Sequence, residues 1–226
     1  MRASGAGLRY REDTMADSLP PRAAAALEEL LAGNERYAED QPQHPHLGHR
    51  TRATLAGGQH PFAAVLGCSD SRVPPTLVFD QGLGDLFIVR NAGHVLSPDA
   101  LASLEFAVLE LDVPLIAVLA HQACGAIRAA TTTFGGDAVP EGHLTQVLAP
   151  LAPAVAFASR NLDDTEGIDA LADLAGQTHL RMTVAALRQA GPVIATRVAD
   201  GRLGVVGLTY ELASGCTHLL GARAGA

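Results

Sequence analysis

The chain carries two short groups of chemically reactive side chains, separated by about fifty residues. In the first group, Cys68, Asp70 and Arg72 occupy every second position directly after an apolar run. In the second group, His121 and Cys124 are three positions apart and also follow an apolar run. Two thiolates and one imidazole are a favourable ligand set for zinc. These residue types and spacings therefore predict a zinc site, provided that the fold brings the two groups together.

Asp70 decides whether such a site is structural or catalytic. As a fourth protein ligand its carboxylate would close the coordination shell, whereas three protein ligands leave one position for water. Arg72 can hold a carboxylate through two parallel hydrogen bonds and so keep it away from the metal. A zinc ion with two thiolates is already neutral, which also disfavours a third anion. The pattern favours the open, catalytic arrangement, and a closed state with Asp70 as the fourth ligand is the alternative.

The segments that must position these side chains alternate between two kinds of pattern. Short and nearly continuous apolar runs predict strands buried on both faces, at 62–67, 85–90, 114–120 and 203–210. Other stretches have helical composition or periodicity, at 22–39, 50–57, 123–133, 144–158 and 166–190. A further helix is expected after Ser97, which is a suitable N-cap. This alternation is typical of an α/β fold with a central, mostly parallel sheet flanked by helices.

Both reactive groups follow runs that are predicted as strands. In open α/β sheets, functional residues gather at the carboxyl ends of the strands. Two neighbouring parallel strands would bring their carboxyl ends to the same edge of the sheet. The predicted fold and the predicted zinc site therefore support each other.

Composition limits the class of protein. The 226 residues are 48% hydrophobic and include 24 acidic and 16 basic residues, for a net charge of −8. This balance argues against nucleic acid or an anionic membrane as a partner, and no apolar run is long enough to span a bilayer. We expect no signal peptide, and three cysteines indicate a reducing, cytoplasmic location. The tail at 1–20 is expected to be disordered, and 21–226 to form a single domain.

Three stretches of the chain resemble β-class carbonic anhydrases of the bacterial type. They are the "CSDSR" run at 68–72, "FDQGLGDLFIVRNAG" at 79–93 and "SLEFAVLELDVPLIAVLAHQACGA" at 103–126. The resemblance implies one zinc ion per subunit, held by Cys68, His121 and Cys124. It also implies that Asp70 and Arg72 form a catalytic dyad that orients the zinc-bound water.

The resemblance implies a reaction and a set of substrate contacts. The reaction is the reversible hydration of carbon dioxide to bicarbonate and a proton, through zinc-bound hydroxide. Gln59 would donate a hydrogen bond to the substrate, and a small apolar pocket would be lined by Phe87, Ala92, Gly93 and Gly125. For Phe87, an ordinary core position in a strand is the alternative. The family also implies a homodimer that can pair into a tetramer, with an N-terminal helical arm on the partner subunit and part of each pocket supplied by that partner.

The chain departs from the family pattern at a few positions. Ala120 stands where glycine commonly precedes the metal histidine, and Phe106 stands where many members have tyrosine. Arg90 and Tyr210 match the inhibitory bicarbonate site of one subtype only loosely, and the tryptophan of that site is missing because the chain has none. His94, next to the predicted pocket, is a candidate proton shuttle.

Two other functions remain open from the sequence. Relatives on the same scaffold hydrolyse carbonyl sulfide or carbon disulfide, and the shape of the pocket rather than the motif decides between these substrates. Alternatively, the chain is a non-catalytic protein with a structural zinc ion and Asp70 as a fixed fourth ligand. A thioredoxin-like redox protein is excluded because the chain has no CxxC motif. The third cysteine, Cys216, is expected to be structural.

Overall fold

Five strands form a single sheet within residues 19–138, 141–163 and 165–221, the part of the chain that this computed structural model describes. In chain order they are β1 (Ala63–Cys68), β2 (Leu86–Asn91), β3 (Leu115–His121), β4 (Gly204–Tyr210) and β5 (Thr217–Leu219). Their order across the sheet is β2-β1-β3-β4-β5, with β1 to β4 parallel and β5 antiparallel to β4. The predicted fold class is confirmed, and the four predicted strands match β1 to β4 within one residue at each end.

Nine helices flank the sheet in the described residues. They are α1 (Pro21–Ala38), α2 (His49–Leu55), α3 (Pro75–Val78), α4 (Pro98–Glu110), α5 (Gly125–Phe134), α6 (Leu144–Leu148), α7 (Ala152–Asn161), α8 (Gly167–Arg188) and α9 (Gly191–Ala199). Ser97 caps α4 as expected, because its side chain accepts a hydrogen bond from the amide of Ala100 at 3.3 Å. No helix in these residues is long and apolar enough to cross a lipid bilayer.

The predicted helix at 144–158 is in fact two helices. A 3-10 turn at Ala149–Leu151 separates α6 from α7, and both the turn and α7 have a proline in their first two positions. Proline lacks an amide hydrogen and clashes with the preceding helical turn, so it favours a new start over continuation. The predicted tail at 1–20 lies outside the described residues except for its last two positions.

Successive residues of the central strands pack against opposite helical layers. Ala64 and Leu66 of β1 belong to the core formed with α4, α8 and α9. Ala63 and Val65 belong to the core formed with α1 and α3. Because side chains alternate between the faces of a strand, covering both faces requires apolar residues at every position. This is why the strands are nearly continuous apolar runs in the sequence.

The N-terminal helix α1 packs on the sheet of its own chain. Ala23, Leu27 and Leu30 are buried in the layer that covers one face of that sheet. By contrast, α2 has no buried residue. Packing of the N-terminal helical arm on a partner subunit therefore remains a prediction, while the buried face of α1 is covered by its own chain.

Gly33 marks a close approach between α1 and the backbone after α3. A Cβ added at Gly33 would lie 1.9 Å from the carbonyl oxygen of Phe79, and a backbone atom cannot rotate away. Alanine gains up to about 1 kcal/mol of helix propensity over glycine, but overpacking typically costs about 1–3 kcal/mol or more. We expect Gly33→Ala to lower the free energy of unfolding, measured by urea denaturation.

Gly176→Ala in α8 is the matched control for this change. A Cβ added at Gly176 meets nothing within 4 Å, so the substitution should raise stability by up to about 1 kcal/mol through helix propensity alone. Equal stabilities of Gly33→Ala and the wild type would contradict the close contact with Phe79.

Candidate metal centre

The two reactive groups meet at the carboxyl ends of β1 and β3. Cys68 is the last residue of β1 and His121 is the last residue of β3, and these strands are adjacent and parallel. The chain passes from β1 to β2 on one side and then to β3 on the other, so both residues flank the point where the strand order reverses. Ligand sites of open α/β sheets form at such points. Cys124 joins them through a tight turn in which Ala123 has a φ of 49°.

Three buried ligand atoms converge at this edge of the sheet. The Sγ atoms of Cys68 and Cys124 and a ring nitrogen of His121 all lie within 4.8 Å of one another. The two Sγ atoms are 3.8 Å apart, and two sulfurs each about 2.3 Å from a tetrahedral zinc ion would also be separated by about 3.8 Å. The spacing of the sulfurs therefore fits a metal ion between them.

The ring of His121 has the orientation that a metal ligand needs. Its Nδ1 lies 2.8 Å from the carbonyl oxygen of Gln122. Because a carbonyl can only accept, Nδ1 carries the proton, and in the neutral ring Nε2 presents its lone pair. Nε2 is buried and has no hydrogen-bond partner among the described residues. A bound metal ion would satisfy this atom, and metal-ligating histidines typically have such a partner on the other nitrogen.

The contact between the two sulfurs shifts the pKa values of the two thiols in opposite directions. The contact with Cys124 is the main cause that lowers the pKa of Cys68 to about 4, with backbone amides also favouring the thiolate. Those amides belong to Asp70 and Gly93, and each lies 3.4 Å from the Sγ of Cys68. The same contact, together with burial, raises the pKa of Cys124. A metal ion would displace the proton of the Cys124 thiol, because the thiolate is the form that binds metals.

Asp70 is bound to Arg72 beside the three ligand atoms. One carboxylate oxygen accepts hydrogen bonds from the backbone amide of Arg72 at 3.0 Å and from its Nε at 2.9 Å, and the other accepts from Nη2 at 2.7 Å. These hydrogen bonds hold the pKa of Asp70 well below its usual range. Oδ2 of Asp70 lies 3.9 Å from Nε2 of His121. The carboxylate is therefore ionised, next to the ligand group and oriented by the arginine.

Comparisons with known proteins decide the family. The sequence model of the family described as carbonic anhydrase matches residues 63–217, which include both reactive groups. The structure is similar to a tetrameric β-carbonic anhydrase of the filamentous ascomycete Sordaria macrospora, with a TM-score of 0.69 and 29% identity. That match covers 88% of this chain and 98% of the other. The chain belongs to the β-carbonic anhydrase family.

Curated relatives agree with this assignment. The chain is 44% identical over 191 residues to carbonic anhydrase 2 of Mycobacterium tuberculosis. The matched region covers 84% of this chain and 89% of the relative. It is 40% identical over 195 residues to a carbonic anhydrase of Mycolicibacterium smegmatis, with coverages of 86% and 92%. The predicted enzyme class, a carbonic anhydrase and therefore a lyase, is confirmed.

Arg90 supports the β-carbonic anhydrase motif in a way that the sequence did not reveal. Its Nε donates to the carbonyl oxygen of Cys68 at 2.8 Å, and its Nη2 donates to the carbonyl oxygen of Asp70 at 2.7 Å. Arg90 lies on β2 opposite Gly67, one position before the end of both strands. These contacts depend on the register that places Arg90 opposite Gly67. The pairing of the two strands sets that register, and no local sequence pattern shows it.

Three of the predicted pocket residues border the ligand group. Ala92 and Gly93 directly follow β2, and Gly125 directly follows Cys124. Gly93 has a φ of 73°, and a Cβ there would lie 3.1 Å from the Cβ of Ala126, so both conformation and space favour glycine. A Cβ added at Gly125 would meet nothing within 4 Å, which leaves free space next to Cys124.

The other two predicted pocket residues lie far from the cysteines of the same chain. Phe87 pairs with Ala64 while Cys68 pairs with Asn91, so Phe87 is four positions back along the sheet, or roughly 13 Å. Its ring packs on that of Phe106, with centroids 6.1 Å apart. Gln59 is exposed and precedes the amino end of β1, whereas Cys68 is at the carboxyl end of the same strand. A substrate contact from either residue would have to be made in the site of a partner subunit.

His94 is poorly suited to carry protons to solvent. Its side chain is buried, and neither ring nitrogen has a hydrogen-bond partner in the described residues. Its ring packs on that of His179, with centroids 4.7 Å apart. Burial lowers the pKa of His94 well below its usual value. The structure therefore argues against His94 as the proton shuttle.

Acid should destabilise the fold through His179. Burial lowers the pKa of this ring from 6.5 to about 4, so the unfolded chain binds the proton at a higher pH than the folded chain does. The contribution of the neutral His179 ring to the free energy of unfolding is fully present above pH 6.5. It is lost as the pH falls from 6.5 to about 4, and its full magnitude is roughly 3 kcal/mol. In urea unfolding of the metal-free protein at pH 7.5 and 4.5, His179→Gln should therefore lose less stability than the wild type.

Thr178→Val is the control for a buried change at the neighbouring position, and it should lose as much stability in acid as the wild type. Equal losses for His179→Gln and the wild type would show that His179 does not titrate in this way.

Proposed function

We propose that the chain is a zinc-dependent carbonic anhydrase that reversibly hydrates carbon dioxide to bicarbonate and a proton. One zinc ion per subunit would be held by Cys68, His121 and Cys124. The observation that carries this proposal is the buried group of three ligand atoms, with its sulfurs 3.8 Å apart and Nε2 of His121 left without a partner in the described residues. When bound, zinc would lower the pKa of a water molecule toward about 7 and so supply a nucleophile.

Asp70 and Arg72 act as a dyad in this proposal. An ionised carboxylate can only accept hydrogen bonds. Asp70 would therefore accept a hydrogen bond from the nucleophilic water, so that a lone pair of the water oxygen points toward the substrate carbon. Arg72 keeps the carboxylate ionised and fixes its direction through its side-chain hydrogen bonds to both oxygens. The closed state, in which Asp70 becomes a fourth ligand, requires these hydrogen bonds to break. The pair therefore favours the catalytic site over the structural alternative.

Gly93 and Gly125 provide room for a small substrate in this proposal. Neither has a side chain, and both adjoin a cysteine ligand, which suits a molecule as small as carbon dioxide. Gly125 is also the first residue of α5. The positive end of the helix dipole therefore lies beside Cys124, where it would favour an anionic product.

We infer that the active unit is a homodimer, which can pair further into a tetramer. Within one chain, neither Gln59 nor Phe87 lines the cavity of about 420 Å³ that borders His121 and Cys124. Gln59 and Phe87 lie away from the cysteines of their own chain, and they would complete the pocket of the partner. The exposed Phe106, whose ring packs on Phe87, and helix α2, which has no buried residue, both offer surface for contact with another chain.

Stopped-flow measurement of carbon dioxide hydration tests the proposal. The zinc-loaded protein should hydrate carbon dioxide with a kcat/KM in the enzymatic range, above about 10⁴ per molar per second. Dialysis against a zinc chelator should reduce this value at least about 100-fold, and added zinc should restore it. Full activity of the metal-depleted protein would contradict a role for zinc. A parallel assay with carbonyl sulfide separates the alternative, which predicts a higher kcat/KM for that substrate.

A further inference from the structure

His179 is connected to the metal ligand Cys68 through one glycine. The ring lies on α8 and is buried, and its Nε2 is 3.1 Å from the carbonyl oxygen of Gly93. Because a carbonyl only accepts, Nε2 must carry a proton. The amide of Gly93 in turn donates to the Sγ of Cys68 at 3.4 Å. Two successive hydrogen bonds therefore lead from a helix on one face of the sheet to a sulfur of the ligand group.

The backbone at Gly93 needs such support because no strand holds it. β2 ends at Asn91, and Gly93 and His94 both have positive φ, at 73° and 43°. The side chain of Asn91 joins the two ends of this turn, since it accepts from the amide of Val95 and donates to its carbonyl, both at 2.7 Å. At the centre of the turn, His179 donates to the carbonyl of Gly93 and packs on the ring of His94.

The state of the ring also suits a permanent donor. Burial lowers the pKa of His179 to about 4, so the ring stays neutral at the pH at which the two sulfurs would bind a metal. A neutral ring has one N–H, and the carbonyl of Gly93 selects Nε2 as its position.

We propose that His179 is a positioning residue for the metal site: its hydrogen bond to Gly93 holds the amide that donates to the sulfur of Cys68. This inference rests on the zinc site of the proposed function. An amide donor fixes the direction of a thiolate and withdraws part of its negative charge. Loss of hydrogen bonds to metal ligands typically weakens metal binding about 10–100-fold. His179 would therefore affect zinc affinity although it touches neither metal nor substrate.

A pair of polar variants tests the hydrogen bond rather than the volume of the ring. In His179→Gln, the side-chain amide nitrogen can reach the position of Nε2 and still donate to Gly93. In His179→Asn, the side chain is one methylene shorter and cannot reach. We expect the zinc dissociation constant, measured by chelator competition, to stay within about threefold of the wild type for Gln and to rise about 10-fold or more for Asn. After cobalt substitution, the thiolate-to-metal absorption band should shift in the Asn variant only.

Thr178→Val is the matched control in α8. Thr178 is buried next to His179, and its hydroxyl has no partner among the described residues, so its loss should leave zinc affinity unchanged. Equal zinc affinities for the Gln and Asn variants would overturn the proposal. A wild-type protein that binds no zinc would instead overturn the proposed function.

The wild-type protein provides a test that needs no substitution. In nitrogen NMR spectra of the zinc-loaded protein, His179 should appear as the neutral tautomer with its proton on Nε2. A proton on Nδ1 would show that the ring does not donate to Gly93 and would overturn the proposal even if the Asn variant failed to fold.

Discussion

Cys68→Ala is expected to lose bound zinc and carbon dioxide hydration together. Cys68 supplies one of the two sulfurs in the ligand group, and the backbone amides of Asp70 and Gly93 each lie 3.4 Å from that sulfur. Removing a ligand atom should weaken zinc binding by more than the roughly 10–100-fold expected for losing an outer hydrogen bond. We expect the purified variant to contain little zinc by atomic absorption and to show at least about a 100-fold lower kcat/KM.

Cys216→Ala is the matched control, because it removes the third thiol of the chain. The sulfur of Cys216 lies outside the ligand group, and its contact is with the carbonyl of Ser214 at 3.9 Å. Zinc content and activity should stay at the wild-type level. Circular dichroism of Cys68→Ala should retain the helical signal, which separates loss of the metal from loss of the fold. A folded Cys68→Ala protein with one zinc per chain would contradict the assignment of the ligands.

The sequence was sufficient for the parts of this molecule that depend on local pattern. The strands could be predicted because both faces of the sheet are covered, which forces continuous apolar runs. The meeting of Cys68 with His121 could be predicted because both follow such runs and parallel strands end at a common edge. The composition of 144–158 predicts one helix, but the prolines at the start of the turn and of α7 outweigh that composition and divide it.

The supports of the site could not be predicted because they join distant parts of the chain. The hydrogen bond from His179 to Gly93 spans 86 positions, and no local pattern marks either residue as a partner of the other. Arg90 depends on the register of two strands, since a slip by one residue would turn its side chain to the other face of the sheet. By contrast, the separation of Gln59 and Phe87 from Cys68 follows from the predicted strands, since both residues lie toward the amino ends of β1 and β2.

The predicted arm illustrates a further limit. The composition of α1 predicts a helix with an apolar face, but it does not say which surface covers that face. In the structure the cover is the sheet of the same chain, whereas α2 has no buried residue. Sequence patterns report how much surface must be buried, while the identity of the surface that buries it follows from the three-dimensional arrangement.

Asp70→Asn is expected to abolish most turnover while zinc remains bound. The asparagine has nearly the same shape, but its amide group carries two hydrogens where Asp70 has an acceptor. It can therefore no longer accept from Arg72 on one side and from a nucleophilic water on the other. Groups that direct proton positions in this way typically contribute about 10²–10⁴-fold to the rate. We expect kcat to fall by such a factor in stopped-flow assays, with the zinc content unchanged.

Asp200→Asn provides a matched control on the surface of the same protein. Asp200 and Arg202 have the same spacing in the chain as Asp70 and Arg72, and their Nη2 and Oδ2 atoms are also 2.7 Å apart. Because this second pair is exposed, breaking it should change stability by less than about 1 kcal/mol and leave kcat unchanged. Loss of zinc from Asp70→Asn would identify Asp70 as a fixed fourth ligand and favour a structural site. Full turnover with zinc bound would show that the dyad has no catalytic role, because Arg72 would then be holding a carboxylate that the reaction does not need.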